Sequence, residues 1–327
     1  MSPIVPRTRA TDPAELLDLA RSGDRAAVAR LLTIVEQGGD QAAAVDRVVF
    51  AAGTAHTIGL TGSPGAGKST LTSALIGHAR ATGQSVGVLA IDPSSPFTGG
   101  AILGDRVRMS DHALDDGVFI RSMATRGHLG GLAVATPQAA RVLGAAGCDV
   151  VFIETVGVGQ VEVEIAGEAD TTVVVVNPGW GDAVQANKAG LMEIADLFVI
   201  NKADRPGVSD TRRDLEQMLE LSAAAPGQDP WRPPILATVA SSGEGTEALW
   251  AELVVHQAHL ERSGELARRR GDRLAAELDR VVAARLAERV AGLSRSARYA
   301  ELRDQVIDQR LDPWSAADQL LDASLDP

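Results

Sequence analysis

Residues Gly62 to Thr70 read GSPGAGKST, directly after the apolar run His56 to Leu60 and before the helical pattern Leu71 to Arg80. A strand that turns through glycines into a helix lets backbone N–H groups curl around an anionic phosphate at the helix N-terminus. In this setting the Lys68 ammonium reaches the β/γ oxygens and the Ser69 hydroxyl enters the coordination shell of Mg²⁺. The whole loop is a candidate triphosphate cradle: Gly62, Ser63, Pro64, Gly65, Ala66, Gly67, Lys68, Ser69 and Thr70.

A second apolar strand, Asp196 to Ile200, runs straight into Asn201, Lys202, Ala203 and Asp204. On its own NKAD would serve as a helix-capping turn; after a strand, and downstream of a phosphate loop, it reads guanine. The Asp204 carboxylate accepts two hydrogen bonds from guanine N1–H and the exocyclic amine. Adenine offers no matching donor pair, so it would leave a buried carboxylate unpaired. Ser241 and Ser242 follow the run Ile235 to Ala240 and are candidates for a weaker base-contacting loop.

From residue 56 onward apolar runs alternate with helical patterns: His56 to Leu60, Ser85 to Ile91, Gly117 to Met123, Asp149 to Ile153, Thr171 to Val176, Leu197 to Ile200 and Ile235 to Ala240. Seven such runs predict an α/β fold, a doubly wound, mostly parallel sheet with its ligand at the carboxyl ends of the strands. Aromatic residues are 3% of the chain, so Val, Leu, Ile and Ala must build the core, as in sheets buried on both faces. Before the sheet, Ala14 to Gln37 predicts two helices around a Ser22-Gly23-Asp24 break. After residue 246 the strands stop, and helical patterns cover Thr246 to Arg269, Gly271 to Val290 and Ala297 to Leu321, the last interrupted by Pro313. The apolar stripe Leu274, Leu278, Val281, Val282, Leu286 and Val290 needs a partner, as part of a surface helix pair or of an interface between subunits. The expected division is 1–50, an N-terminal helical extension; 51–260, the nucleotide-binding domain; and 261–327, a C-terminal helical dimerisation arm.

A formal net charge of −12 argues against non-specific binding to nucleic acid or an anionic membrane, both of which need a basic surface. Cys148 is the single cysteine, so no internal disulfide or Cys/His metal cluster is expected. No stretch approaches the ~20 apolar residues of a membrane span, and MSPIVPRTRA lacks the order of a signal peptide. A cytoplasmic protein is the expectation.

Glu154-Thr155-Val156-Gly157 ends the strand beginning near Asp149, where nucleotide switches usually carry DxxG. The longer Glu154 carboxylate can still hold Mg²⁺ through a water, and the Gly157 amide can meet the γ-phosphate. Val158 follows Gly157, so the Gln that orients attacking water in Ras-like enzymes is missing there and basal turnover should be slow. Asp92 and Asp105 are candidate magnesium or water-positioning groups of a first switch; Asp92-Pro93-Ser94 equally suits an ordinary strand-ending turn. The predicted catalytic set is Lys68, Glu154 and Asp92, and the predicted metal set is Ser69, Asp92, Asp105 and Glu154. His128, beside three glycines, reads as a structural hydrogen-bonder.

GSPGAGKST, AIDPSSPFTGGAILGDRVRM, RSMATRGHLGGL, ETVGVGQ, NPGWGDAVQANKAGLMEIAD and NKAD together resemble the methylmalonyl-CoA mutase-associated GTPases, the MeaB/ArgK family, over nearly the whole chain. The resemblance implies a P-loop GTPase core using GTP/GDP and Mg²⁺, in a homodimeric chaperone. Such a chaperone gates adenosylcobalamin delivery to a B12-dependent acyl-CoA mutase and protects or rescues that enzyme. It also implies a third switch over Asn177 to Asp196, whose Asp182, Gln185 and Lys188 couple nucleotide state to the mutase. Read from residues alone, the same loop is a connector into a helix. No cobalamin-binding DxHxxG pattern occurs, so that cofactor belongs to the partner. Rival readings are a nickel-inserting GTPase, which would need a His-rich tract or Cys pair absent here; an ATP-using kinase of amino-acid transport components, which NKAD argues against; and a nucleotide-binding scaffold without turnover.

Overall fold

The computed structural model describes residues 12–92, 112, 114–124, 129–155, 168–179, 194–221 and 231–325. Within them all seven expected strands form: β1 His56–Gly62, β2 Val86–Asp92, β3 Val118–Ala124, β4 Val150–Thr155, β5 Thr171–Val176, β6 Leu197–Asn201 and β7 Ile235–Thr238. They make one parallel sheet in the order β3-β2-β4-β1-β5-β6-β7. Strand β7 stops at Thr238 instead of the expected Ala240, because Val239 N–H turns to donate to Glu244 O at 2.9 Å. The chain order reverses at β1, with β4 on one side and β5 on the other. This is the crevice in which open α/β sheets bind ligands.

Alternation along each strand explains the layers. Val86, Val88, Val150, Phe152, Val173 and Val175 face helices α4 (Lys68–Ala81) and α7 (Thr246–Ser263). Leu89, Ile91, Val151 and Ile153 face the opposite way, onto α5 (Leu129–Ala145) and helices α1 (Pro13–Arg21), α2 (Arg25–Gln37) and α3 (Gly39–Val49). Val174, Val176, Phe198 and Ile200 pack on α6 (Val208–Leu221). The Ser22-Gly23-Asp24 break holds, with Asp24 capping α2 through Ala26 N–H at 2.9 Å. The two helices expected over Ala14 to Gln37 form as α1 and α2, and a third, α3, follows that the sequence reading did not give. The missed α3 starts behind the glycine pair Gly38-Gly39 and buries Ala42, Val45 and Val49, a short stripe with few apolar residues.

The C-terminal helical breaks also differ from expectation. Gly264, at φ 75°, caps α7, whereas Gly271 lies inside the continuous helix α8 (Glu265–Leu293). Pro313 opens α10 (Pro313–Leu325) after α9 (Ala297–Ile307), as a first-turn proline should. By internal contacts the chain separates into Met1–Arg270 and Gly271–Pro327. In the second unit α9 and α10 pack on each other, and Leu278 and Leu286 of α8 are 62% and 55% exposed. Among the described residues, no helix is long and apolar enough to cross a membrane.

At the amino ends of the strands lies a buried polar network. His56 Nε2 and His256 Nδ1 both reach Thr171 Oγ1, at 3.0 and 2.8 Å. Arg270 grips Asp170 at 2.6 Å and Arg269 grips Asp196 at 2.9 Å, tying the start of α8 to the sheet. Burial pushes the His56 imidazole down to about 4, against the opposing pull of Asp170.

Candidate nucleotide site

Strand β1 ends in the phosphate loop because its last residue has no room for a side chain. A Cβ on Gly62, whose φ is 132°, would lie 1.9 Å from Val175 O of the neighbouring strand. Gly67, at φ 89°, makes the turn into α4, and a Cβ there would sit 2.5 Å from Asn201 Nδ2. Between these two points the chain wraps onto the N-terminus of α4. The loop lysine is folded into its own turn: Lys68 Nζ donates to Gly62 O at 2.7 Å and Ser63 O at 3.1 Å. Among the described residues, the Ser63 hydroxyl oxygen and Asn177 Oδ1, which follows β5, are buried without a hydrogen-bond partner. Buried polar groups of this kind cost free energy unless a ligand or water meets them.

Two of the four predicted metal residues, Ser69 and Glu154, are brought together. Glu154, the penultimate residue of β4, lies in register with Leu60 of β1 and is 3% exposed. Its Oε1 accepts a 2.5 Å hydrogen bond from Ser69 Oγ, and its Oε2 accepts one from Thr72 Oγ1 at 3.0 Å. Among the described residues no group of three or more His, Cys, Asp or Glu could hold a metal. A hydroxyl beside a carboxylate at the mouth of a phosphate loop nonetheless fits Mg²⁺. That ion prefers hard oxygens and is usually bound by one or two protein ligands plus phosphate oxygens and waters.

The NKAD segment does two different things. Asn201, 2% exposed, is a brace. Its Nδ2 donates to Ala66 O at 2.7 Å, and its Oδ1 accepts from Thr238 Oγ1 and Ala240 N–H, both at 3.1 Å. Lys202, with a left-handed φ of 60°, donates from Nζ to Gly65 O at 2.6 Å. The two residues thus lash the phosphate loop to the ends of β6 and β7. Asp204 is exposed and makes no hydrogen bond within the described chain, leaving both carboxylate oxygens available to a base. Ser241 is exposed in the turn after β7.

Other predicted positions fall elsewhere. Asp92 closes β2, with its side chain outside the described residues; Asp105, Gly157, Asp182, Gln185, Lys188 and His128 are outside them altogether. Cys148 is only partly buried, and desolvation pushes its thiol up to about 12, which disarms it as a nucleophile. Thr72 and the bracing role of Asn201 were not anticipated from the sequence. Spacing would have found Thr72, which lies one turn after Ser69 on the same helix face.

Known proteins resemble this chain. The family model described as methylmalonyl Co-A mutase-associated GTPase MeaB matches residues 28–294. A protein of Pyrococcus abyssi named as a GTPase is 51% identical over 308 residues, covering 94% of this chain and 95% of its own length. The Escherichia coli GTPase ArgK is 39% identical over 261 residues, covering 77% and 78%. The crystal structure of a LAO/AO transport system kinase superposes with a TM-score of 0.68 at 28% identity, covering 98% of this chain and 99% of that one. The phosphate loop, the NKAD segment and these matches lead to one conclusion: this chain is a GTPase and belongs to the methylmalonyl Co-A mutase-associated MeaB family.

Proposed function

We propose that this GTPase uses hydrolysis as a conformational clock for an adenosylcobalamin-dependent acyl-CoA mutase of the methylmalonyl-CoA mutase type, gating cofactor loading and protecting or reactivating the enzyme. The observation that carries the reading is the family match over residues 28–294, whose description names association with that mutase. A mouse relative, 39% identical over 214 residues, is named a methylmalonic aciduria type A homolog, which points the same way.

In this reading Lys68 leaves the Gly62 and Ser63 carbonyls and moves to the β/γ oxygens. With the loop amides it stabilises the charge that develops as the terminal phosphoryl transfers to water. Mg²⁺ would be held by Ser69 and Glu154, with Asp92 and Asp105 as further candidates, and supplies neutralisation of phosphate charge. Asp204 selects guanine and Ser241 lines the base. Gly157 senses the γ-phosphate, and Asp182, Gln185 and Lys188 pass nucleotide state to the mutase. Residues 1–50 extend the GTPase domain of 51–260, and 261–327 form a dimerisation arm; the exposed α8 stripe supports a homodimer. The expected compartment is the cytoplasm.

Single-turnover GTP hydrolysis with and without apo-methylmalonyl-CoA mutase tests the proposal. Wild type should accelerate, whereas Gln185→Ala and Lys188→Ala should keep basal hydrolysis within a few-fold and lose most of the acceleration. Wild-type hydrolysis indifferent to the mutase would overturn it.

A further inference from the structure

The Glu154 carboxylate is clamped at both oxygens by one helix. Ser69 and Thr72 stand one turn apart on α4, so both hydroxyls project from the same face toward the end of β4. Ser69 Oγ takes Oε1 at 2.5 Å and Thr72 Oγ1 takes Oε2 at 3.0 Å. All three side chains are buried, Thr72 completely. The Thr72 hydroxyl also lies 3.0 Å from Lys68 O, within its own helix. A hydroxyl has one proton for these two acceptors, and an ionised carboxylate is the stronger of them.

Glutamate in a position where Asp is usual poses a mechanical problem. Its extra methylene adds a rotatable bond, and a free carboxylate at that length would sample several positions around the metal. Thr72 removes that freedom by anchoring the oxygen that faces away from the loop, leaving Oε1 directed at Ser69. We infer that Thr72 is the positioning residue that lets a glutamate serve as the magnesium-site carboxylate in this chain. The inference rests on the metal role proposed for Ser69 and Glu154. Partners that hold a metal-site group without touching the ion typically change metal affinity about 10- to 100-fold when removed.

The test is the affinity for a fluorescent GDP analogue, titrated with MgCl₂ and repeated in EDTA. Thr72→Val, which keeps the shape and loses the hydroxyl, should raise the Mg²⁺ concentration for half-maximal tightening about tenfold and leave affinity in EDTA unchanged. Thr72→Ser should restore the wild-type titration. Glu154→Asp, which withdraws the carboxylate from Thr72, should shift the titration the same way, and adding Thr72→Val to it should shift it no further. A Thr72→Val protein with a lowered melting temperature but a wild-type Mg²⁺ titration would reduce Thr72 to a packing residue. Wild-type affinity that ignores Mg²⁺ would instead overturn the metal role of Ser69 and Glu154, and this inference with it.

Discussion

Replacing Asn201 by alanine separates the bracing role of this residue from base recognition. The amide makes three hydrogen bonds from a site 2% exposed: to Ala66 O at 2.7 Å, and from Thr238 Oγ1 and Ala240 N–H at 3.1 Å. At about 1 kcal/mol net for each bond, Asn201→Ala should cost about 3 kcal/mol of folding stability. The buried Ala240 N–H and Ala66 O left behind would add to that figure wherever water cannot reach them. Nucleotide affinity should fall with it, because Ala66 is loop backbone and loses its tether to β6. Asn201→Asp keeps both acceptor bonds but loses the donor to Ala66 O and places a charge against a phosphate site. Its stability loss should be at least as large, because a buried carboxylate oxygen then faces Ala66 O, itself an acceptor, and its nucleotide loss should be larger. Urea unfolding of nucleotide-free protein and calorimetry with GDP measure the two quantities. If Asn201→Ala stays within about 0.5 kcal/mol of wild type and binds GDP normally, the brace does not exist.

Three further outcomes are expected. Lys68→Ala should abolish phosphate release while the protein stays folded, and unchanged turnover would refute the phosphate-loop mechanism. His56 is held neutral in the fold at about 4, below the ordinary 6.5, so its contribution to stability is present above pH 6.5 and is lost as pH falls from there toward 4; between pH 7 and pH 5 the loss should be about 2 kcal/mol. His56→Gln should remove that part of the acid sensitivity in urea titrations at the two pH values, and an equally steep fall in the variant would contradict the assignment. Truncation after Arg270 retains the ion pairs to Asp170 and Asp196 and should convert the proposed homodimer to monomers by light scattering; a truncated dimer would move the proposed interface elsewhere.

Much of the fold was legible because the strands are apolar runs, the central ones buried on both faces, bounded by turn residues. Their ends were located to within two residues. Helix α3 was not, since Ala42, Val45 and Val49 form a thin stripe behind two glycines. Gly271 looked like a break and is not one, because the left-handed cap falls at Gly264 instead. In the site, the loop and NKAD segment gave residue types, and placing Glu154 with Ser69 followed from reading ETVG where nucleotide switches carry DxxG. What a motif cannot state is which acceptor a side chain will find. Asn201 has its oxygen and one amide hydrogen spent on Thr238, Ala240 and Ala66, partners set by how β6 and β7 end beside the loop. The network of His56, Asp170, Thr171, Asp196 and His256 was equally hidden, since only the folded sheet brings the amino ends of β1, β5 and β6 together.

The central claim is that the carboxyl ends of β1, β4 and β6 hold a guanine nucleotide, with Asp204 reading the base. Measuring the affinities of Asp204→Asn for GTP and xanthosine triphosphate tests it most directly. The exposed Asp204 carboxylate makes no hydrogen bond within the described chain, so folding stability should not change. An amide in its place reverses one side of the donor and acceptor pattern, so GTP affinity should drop and xanthosine triphosphate affinity should rise. Wild-type GTP binding by this variant would contradict the account.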